Sequence, residues 1–412
     1  MGLVTACSPQ SDGSTSTSTQ PARAAFDPPA KFDAKAGVPM PKAATASLLT
    51  AKGKDLGLLR NPVELYKGKA YVATQESLLA VDTTNGAVTT ITPEATPVTN
   101  PRDSTGFFMF SHPVSITEGA SPLALASFLV KQPAVGTHAE RVFVEFTAVA
   151  AASAQVAWRL PLTIPDWAKD APGPLSVRVA GSSGRIALVT VGAAKPSGRT
   201  TYAVDLVDRR VLWTRDLFEA KKIVKSTAVG VTKDAIDSQY EAAAGYDLNT
   251  GEQRWRGEDS EYPGVGTGGP QFVSVTGQSR TGVSFHRLVD PQTGVVRKEI
   301  PKDVDPADCE FDGISTLVCF RNWQGLSVWA FDTSNGELRW KLPDKAANRI
   351  APTVTAVWHG RIYGRTDSGP LALDARTGSD LPTLPGIAPY AVNEYVGLAL
   401  KGTDAMAYPA IG

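Results

Sequence analysis

Short apolar runs separated by polar, glycine-bearing breaks fill most of this chain, and few apolar positions recur at helical spacing. Runs such as 70–74, 78–81, 123–130, 141–148, 185–191 and 327–331 combine β-prone residues with flanking turn signals and therefore predict strands. The clearest stretch is Phe331-Asp332-Thr333-Ser334-Asn335-Gly336-Glu337-Leu338-Arg339-Trp340. It reads as a β-hairpin whose aspartate accepts backbone N–H groups of the turn and whose glycine takes up positive φ.

The same pair, aspartate and then glycine four residues on, recurs as Asp82 with Gly86, Asp247 with Gly251, Asp290 with Gly294, Asp332 with Gly336 and Asp374 with Gly378. From Asp247 onward these aspartates lie 43, 42 and 42 residues apart, and a degenerate copy at Asp205 lies 42 before Asp247. A period of about 40–45 residues with several short strands per unit predicts propeller blades. Eight residues after the aspartate stands Trp213, Trp255 or Trp340, with Thr90, Lys298 and Pro382 in the other copies. Large rings at a repeated place read as packing of blade on blade.

The expected fold is therefore all-β, a single β-propeller of four-stranded blades. Counting the turns and the incomplete last unit gives eight blades; seven is the alternative if 93–161 is not a blade. The last unit has three strands, so a strand from the N-terminal region, within 21–42 or 47–59, is expected to close the ring.

Length and charge fit this picture without extending it. The chain has 412 residues, and 41 Lys+Arg balance 41 Asp+Glu, so bulk electrostatics attract neither nucleic acid nor anionic lipid. No apolar run reaches the length of a spanning helix. Of three cysteines, Cys309 and Cys319 flank a turn at 312–316 and would face each other across adjacent strands, within reach of a disulfide. Two reduced core cysteines are the alternative, and would suit a reducing compartment.

Val4-Thr5-Ala6-Cys7 resembles a bacterial lipobox, in which Cys7 would carry the lipid, although the basic and apolar regions of a signal peptide do not precede it. The Ser- and Thr-rich segment after Cys7 cannot bury enough apolar surface to fold. The expected organisation is a signal-peptide remnant at 1–6, a lipid-anchored linker at 7–44 and a propeller at 45–412.

The repeats 246–255, YDLNTGEQRW, and 330–340, AFDTSNGELRW, resemble the PQQ-like repeat of quinoprotein-type β-propellers. With the lipobox and the Ala- and Thr-rich composition, the whole is most similar to an actinobacterial lipoprotein of this type. That family includes quinone-dependent dehydrogenases, the propeller lipoprotein of the outer-membrane barrel assembly machine, and propeller sensors without a cofactor. The resemblance implies, for the dehydrogenases, adjacent cysteines over the quinone and a calcium site; this chain has no adjacent cysteines and no residues that match the calcium site.

Other motifs fail on context. Residues 264–269 match dinucleotide glycine spacing but precede a strand, and 308–313 mimic a calcium loop whose twelfth place is Cys319. The four histidines, at 112, 138, 286 and 359, show no metal-ligand spacing. The expectation is a monomeric, non-catalytic module without cofactor or metal, held to the outer face of the cell membrane by lipid alone. It would bind an envelope protein or a small ligand and no nucleic acid. A PQQ- and calcium-dependent dehydrogenase and a purely structural envelope protein are the alternatives. Because the repeated residues serve the fold, any site should lie where the pattern breaks, in 93–174 or in loops over the channel.

Overall fold

The structure, a computed structural model, describes residues 24–44, 63–99, 114–169, 174–193, 198–301, 308–322 and 325–412. These form an eight-bladed β-propeller in which each blade is an antiparallel sheet built outward from an inner strand. The strands of blade one are Val63–Tyr66, Lys69–Ala73, Leu78–Asp82 and Val88–Ile91. Blades three to six repeat that order, with inner strands Leu175–Ser183, Phe218–Val224, Ser260–Thr267 and Asp308–Phe311. Blade seven has the strands Thr353–Trp358, Arg361–Thr366 and Gly369–Asp374, and a single bridge from Leu373 to Asp380 stands where its fourth strand would run.

The stretch 93–161 is a blade. Leu123–Gln132, Arg141–Ala150 and Gln155–Thr163 are its outer strands, and its inner edge is made of two short pieces, Thr96–Pro97 and Ser115–Ile116. That settles eight blades over seven.

Blade eight joins Ala391–Val392, Val396–Lys401 and Asp404–Pro409 to an N-terminal strand, Val38–Pro39, which pairs with Met406 and Ala407. Ring closure thus takes the predicted form. Its strand falls inside the 7–44 segment assigned to a linker, so the propeller starts ahead of residue 45. The cause is physical: residues 26–33 are tied to the domain by Phe32, 1% exposed against Tyr363, and by Pro29, whose carbonyl accepts from the Tyr363 hydroxyl at 2.6 Å. The Phe26 N–H also donates to Glu394 at 2.7 Å. Cys7 and the segments 1–6 and 47–59 lie outside the described residues.

The core is a series of apolar layers between neighbouring blades. Ile186, Leu188, Phe218, Ala228, Ala244 and Tyr246 fill one such layer between blades three and four. Middle strands of blade four carry glycines where the paired strands of the same sheet crowd them. A Cβ on Gly245 would lie 2.1 Å from the Trp255 ring, and one on Gly230 would lie 2.0 Å from the Glu219 carbonyl.

In this strand order, the Asp–Gly hairpins between third and fourth strands share one face of the ring, the turn face, with the connections between first and second strands. Loops between second and third strands, and the crossings to the next blade, lie on the opposite face.

Candidate functional site

The repeated residues come together as a coupling device. The Asp247 carboxylate accepts from the N–H groups of Asn249 and Thr250 at 2.8 and 2.9 Å, and its other oxygen accepts from Arg254 at 2.6 Å. Asp332 does the same with Ser334 and, at 2.7 Å, with Arg339; Asp290 does so with Gln292, Thr293 and Arg297. Asp82 holds Thr84, and Asp374 holds Thr377. Gly86, Gly251, Gly294, Gly336 and Gly378 all have φ between 69° and 75°. In the degenerate turn after Asp205, Arg209 takes the left-handed place at φ 53°.

Each tryptophan then reaches into the following blade. The indole N–H of Trp213 donates to the Leu248 carbonyl at 2.9 Å, that of Trp255 to Pro291 at 2.8 Å, and that of Trp340 to Ala375 at 3.0 Å. Each acceptor directly follows a turn aspartate. The ring lies flat against the turn glycine of that blade: a Cβ on Gly251, Gly294 or Gly378 would come within 2.7, 2.8 or 2.6 Å of it. These turn glycines are required twice, by their backbone and by their neighbour.

Two joints depart from this device, the first of them as the Lys298 copy of the repeat leads one to expect. Lys298 fills the tryptophan's place with its stem against Gly336 and its Nζ 2.8 Å from Glu337. Gly86 has the turn conformation, with φ 75° and its N–H donating to the Asp82 carbonyl at 2.8 Å, but it meets no indole. A Cβ there would lie 3.3 Å from a Val38 methyl and 3.5 Å from the Pro39 carbonyl oxygen. The reason is topological: the blade before blade one is blade eight, whose outer strand is the N-terminal Val38–Pro39 and not a copy of the repeat.

Cys309 and Cys319 form a disulfide across the first two strands of blade six, with Cα atoms 4.0 Å apart. The calcium-like motif around them is a turn: Asp312, 2% exposed, accepts from the N–H groups of Ile314, Ser315 and Thr316. Residues 264–269 are the end of an inner strand and its turn. Among the described residues no three His, Cys, Asp or Glu side chains cluster to hold a metal. His286 is buried with its Nε2 2.7 Å from the Ser274 hydroxyl, and burial pushes its imidazole down to about 4. Ser274 is 4% exposed, so this pair is walled in and is no accessible nucleophile.

Charge gathers where the repeat says nothing. Inner strands of blades one, four and six carry Glu64, Lys222 and Glu310 into the lumen. Glu64 is exposed to the water of the lumen. Desolvation pushes its carboxyl up to about 7 against the opposing charge of Lys222. Glu310 likewise rises to about 7, through desolvation aided by Asp308 and opposed by Lys222 and a Val357 backbone contact. Lys222 is itself pushed down by desolvation, although Glu310 and Glu64 pull the other way.

On the face opposite the turns, blades three and four hold an ion network. Arg178 and Lys221 pair with Glu219 at 2.7 and 2.6 Å, and Arg199 and Lys233 pair with Glu241 at 2.7 and 3.2 Å. Desolvation raises Glu219, but the charges of Arg178, Lys221 and Arg199 outweigh it and hold the carboxyl at about 2. Lys221 falls to about 8, first by desolvation and then by Arg178. Glu241 also bridges through its backbone to Ser260, where the inner strand of blade five begins. Two residues on is Tyr262, 86% exposed, on a bulge and at φ 51°. No sequence signal marks these groups, whereas the arginine seven residues after the turn aspartate, at 254, 297 and 339, is legible as a spacing.

Residues 143–384 match the PQQ_2 family, described as outer membrane protein assembly factor BamB. No curated protein sequence matches the chain. Among solved structures it is similar to BamB from Moraxella catarrhalis, at 12% identity and a TM-score of 0.44 over 85% of this chain and 96% of that one. It is also similar to the Dos1 propeller, at 9% and 0.46 over 83% and 89%, and to the propeller domain of the Trilobed protease from Pyrococcus furiosus, at 10% and 0.40 over 72% and 93%. At such identities and scores these likenesses carry no argument about function.

Proposed function

This chain belongs to the PQQ-like propeller family described as outer membrane protein assembly factor BamB, and from that premise we propose that it is a non-catalytic scaffold that binds a protein at the cell envelope. The observation that carries the reading is Tyr262. A tyrosine in the left-handed region costs about 1–2 kcal/mol of backbone strain, and this one holds an aromatic ring 86% exposed, two residues from Ser260, whose backbone pairs with Glu241 of the ion network. Tyrosine and arginine are among the residues that interface hot spots favour. Arg280 stands over the neighbouring Tyr240 ring at 4.8 Å and pairs with Asp259, extending such a surface across blade five.

The proposal includes an anchor. Lipid on Cys7, followed by the Ser- and Thr-rich segment, would deliver the domain to the outer face of the cell membrane, in an actinobacterial or similar envelope. Segment 24–33 crosses the turn face, where Asp27 accepts from Trp358 and pairs with His359. The tether would therefore leave from the turn face, with the Tyr262 side directed outward.

Chemical cross-linking in intact envelopes, followed by purification of the chain, should recover one stoichiometric protein partner with wild type and at most a tenth as much with Tyr262→Ala. Recovery independent of Tyr262 would remove the basis of the reading. Radioactive fatty acid should label the precursor and fail to label Cys7→Ala. The dehydrogenase alternative predicts dye-linked oxidation of alcohols or sugars after incubation with pyrroloquinoline quinone and calcium; the scaffold reading predicts none.

A further inference from the structure

A cavity of about 290 Å³ opens on the face away from the repeated turns, between blades seven and eight. Its floor is apolar, made by Val354, Ile387, Ala399 and Leu400, and the rings of Tyr390 and Tyr408 flank it. The polar part of its wall consists of Thr353, Thr355, Thr366, Asn322 and Arg365. Among the described residues Arg365 is the one charged side chain on the lining.

The strand geometry singles out Thr355. The inner strand of blade seven breaks register between Val354 and Ala356, which leaves Thr355 as the bulged residue. Asn322 pins that bulge from both sides, donating to the Val354 carbonyl at 2.8 Å and accepting from its N–H at 3.1 Å. As a result Thr355 is 8% exposed at the cavity wall, and its hydroxyl has no partner among the described residues. A buried hydroxyl without a partner is destabilising, and bulges recur where a side chain is re-aimed beside a site. Tyr390 is already committed, its hydroxyl donating to the Ala44 carbonyl at 3.2 Å.

We infer that this cavity binds a carboxylate carried on a short branched or aromatic apolar body, with the acid on Arg365 and the threonine hydroxyls and the apolar body on the floor. A free small acid and the C-terminal residue of a polypeptide share that chemistry. The volume is at the lower end of small-molecule sites, which begin near about 300 Å³, and fits one such residue and little more. This site is on a different pair of blades from Tyr262, so its failure would leave the scaffold reading standing, and the reverse also holds.

Isothermal titration calorimetry on the whole chain can test it, with N-acetyl-leucine against its neutral amide and a leucine-terminated pentapeptide against its amidated form. Saturable binding of at least one acid is expected, about tenfold tighter than its amide, since a charge-assisted pair is roughly twice as strong as a neutral one. Binding by N-acetyl-leucine alone would identify a free acid as the occupant; tighter binding by the pentapeptide would identify a chain terminus. Arg365→Gln should lose about tenfold. Thr355→Val, which removes the unpartnered hydroxyl, should lose about fivefold while the melting temperature stays level or rises. Ala399→Leu should abolish binding by filling the floor. No saturation by either acid at millimolar concentration, equal affinity for acid and amide, or full affinity in Arg365→Gln would each overturn the proposal.

Discussion

Blades four to seven and blade two share one strand order but hold their neighbours in different ways. At the joints from three to four, four to five and six to seven, the same three elements recur: an indole N–H on a turn carbonyl, a ring on a turn glycine, and an aspartate that shapes the turn. Blade two is held by other contacts, outside the tryptophan and glycine device. Trp158 packs edge-on against Phe146 of its own sheet at 5.5 Å, the Tyr71 hydroxyl of blade one donates to Ala151, and the Trp167 indole donates to Thr200 of blade three. A joint that recurs leaves a period in the sequence, whereas a joint made once leaves none.

The largest expected effect tests whether the tryptophan is a coupling element or merely core. Trp255→Ala should cost about 3–5 kcal/mol in urea unfolding, because it opens a cavity and also strands the Pro291 carbonyl and Gly294 of the next blade. A loss under about 1 kcal/mol would mean that the repeat does not bind blade to blade.

Next come the glycines. Gly378→Ala places a Cβ 2.6 Å from Trp340 at φ 72°, so strain and overpacking together should cost about 2–4 kcal/mol. Gly282→Ala has a similar φ of 80° with nothing within 4 Å, and should cost only about 1–2 kcal/mol. Equal losses would assign the glycine's role to the backbone alone.

The disulfide gives a smaller effect. Opening Cys309–Cys319, with a sequence separation of 10, should cost about 2–3 kcal/mol by loop entropy, read as a shift of the urea midpoint on adding reductant.

The smallest effects separate the turns from the lumen by pH. Asp332 is held at about 2, chiefly by the Ser334 hydroxyl and amide and then by Arg339. Its contribution is present above the ordinary carboxylate value and is lost as pH falls from about 4 to 2. Asp332→Asn should flatten that acid limb by about 1 kcal/mol or less, since the pair is partly exposed. Glu310 and Glu64, raised to about 7, run in the opposite sense: the fold favours their protonated forms, so stability declines as pH rises from about 4.5 through 7. Glu310→Gln should remove part of that decline. An unchanged slope between pH 5 and 7 would show that the lumen carboxyls do not report on folding.

Legibility in the sequence followed the same division. Asp332, Gly336 and Trp340 were readable because each joint reuses them at a period close to 42 residues, and Cys309 and Cys319 because a short hairpin aligns them. Gly86 was legible as a turn residue, but its neighbour was not, since Val38 lies in a segment outside the repeat. The closing strand was expected from the missing fourth strand of the last unit, but its place at Val38–Pro39 was not, because two residues carry no alternation to read. Glu64, Lys222 and Glu310 are scattered over more than half the chain, and no local pattern connects them.

The sequence by itself determined the architecture: a propeller built from one turn and one tryptophan, closed by its own N-terminal segment. Those features rest on short-range spacing and backbone preference, which a linear chain displays directly. Only the tertiary structure decided where charge and cavities collect. Ring closure brings inner strands from distant blades into one lumen, fixes the bulge that strands the Thr355 hydroxyl, and lifts Tyr262 into solvent, and each of these depends on which blades become neighbours.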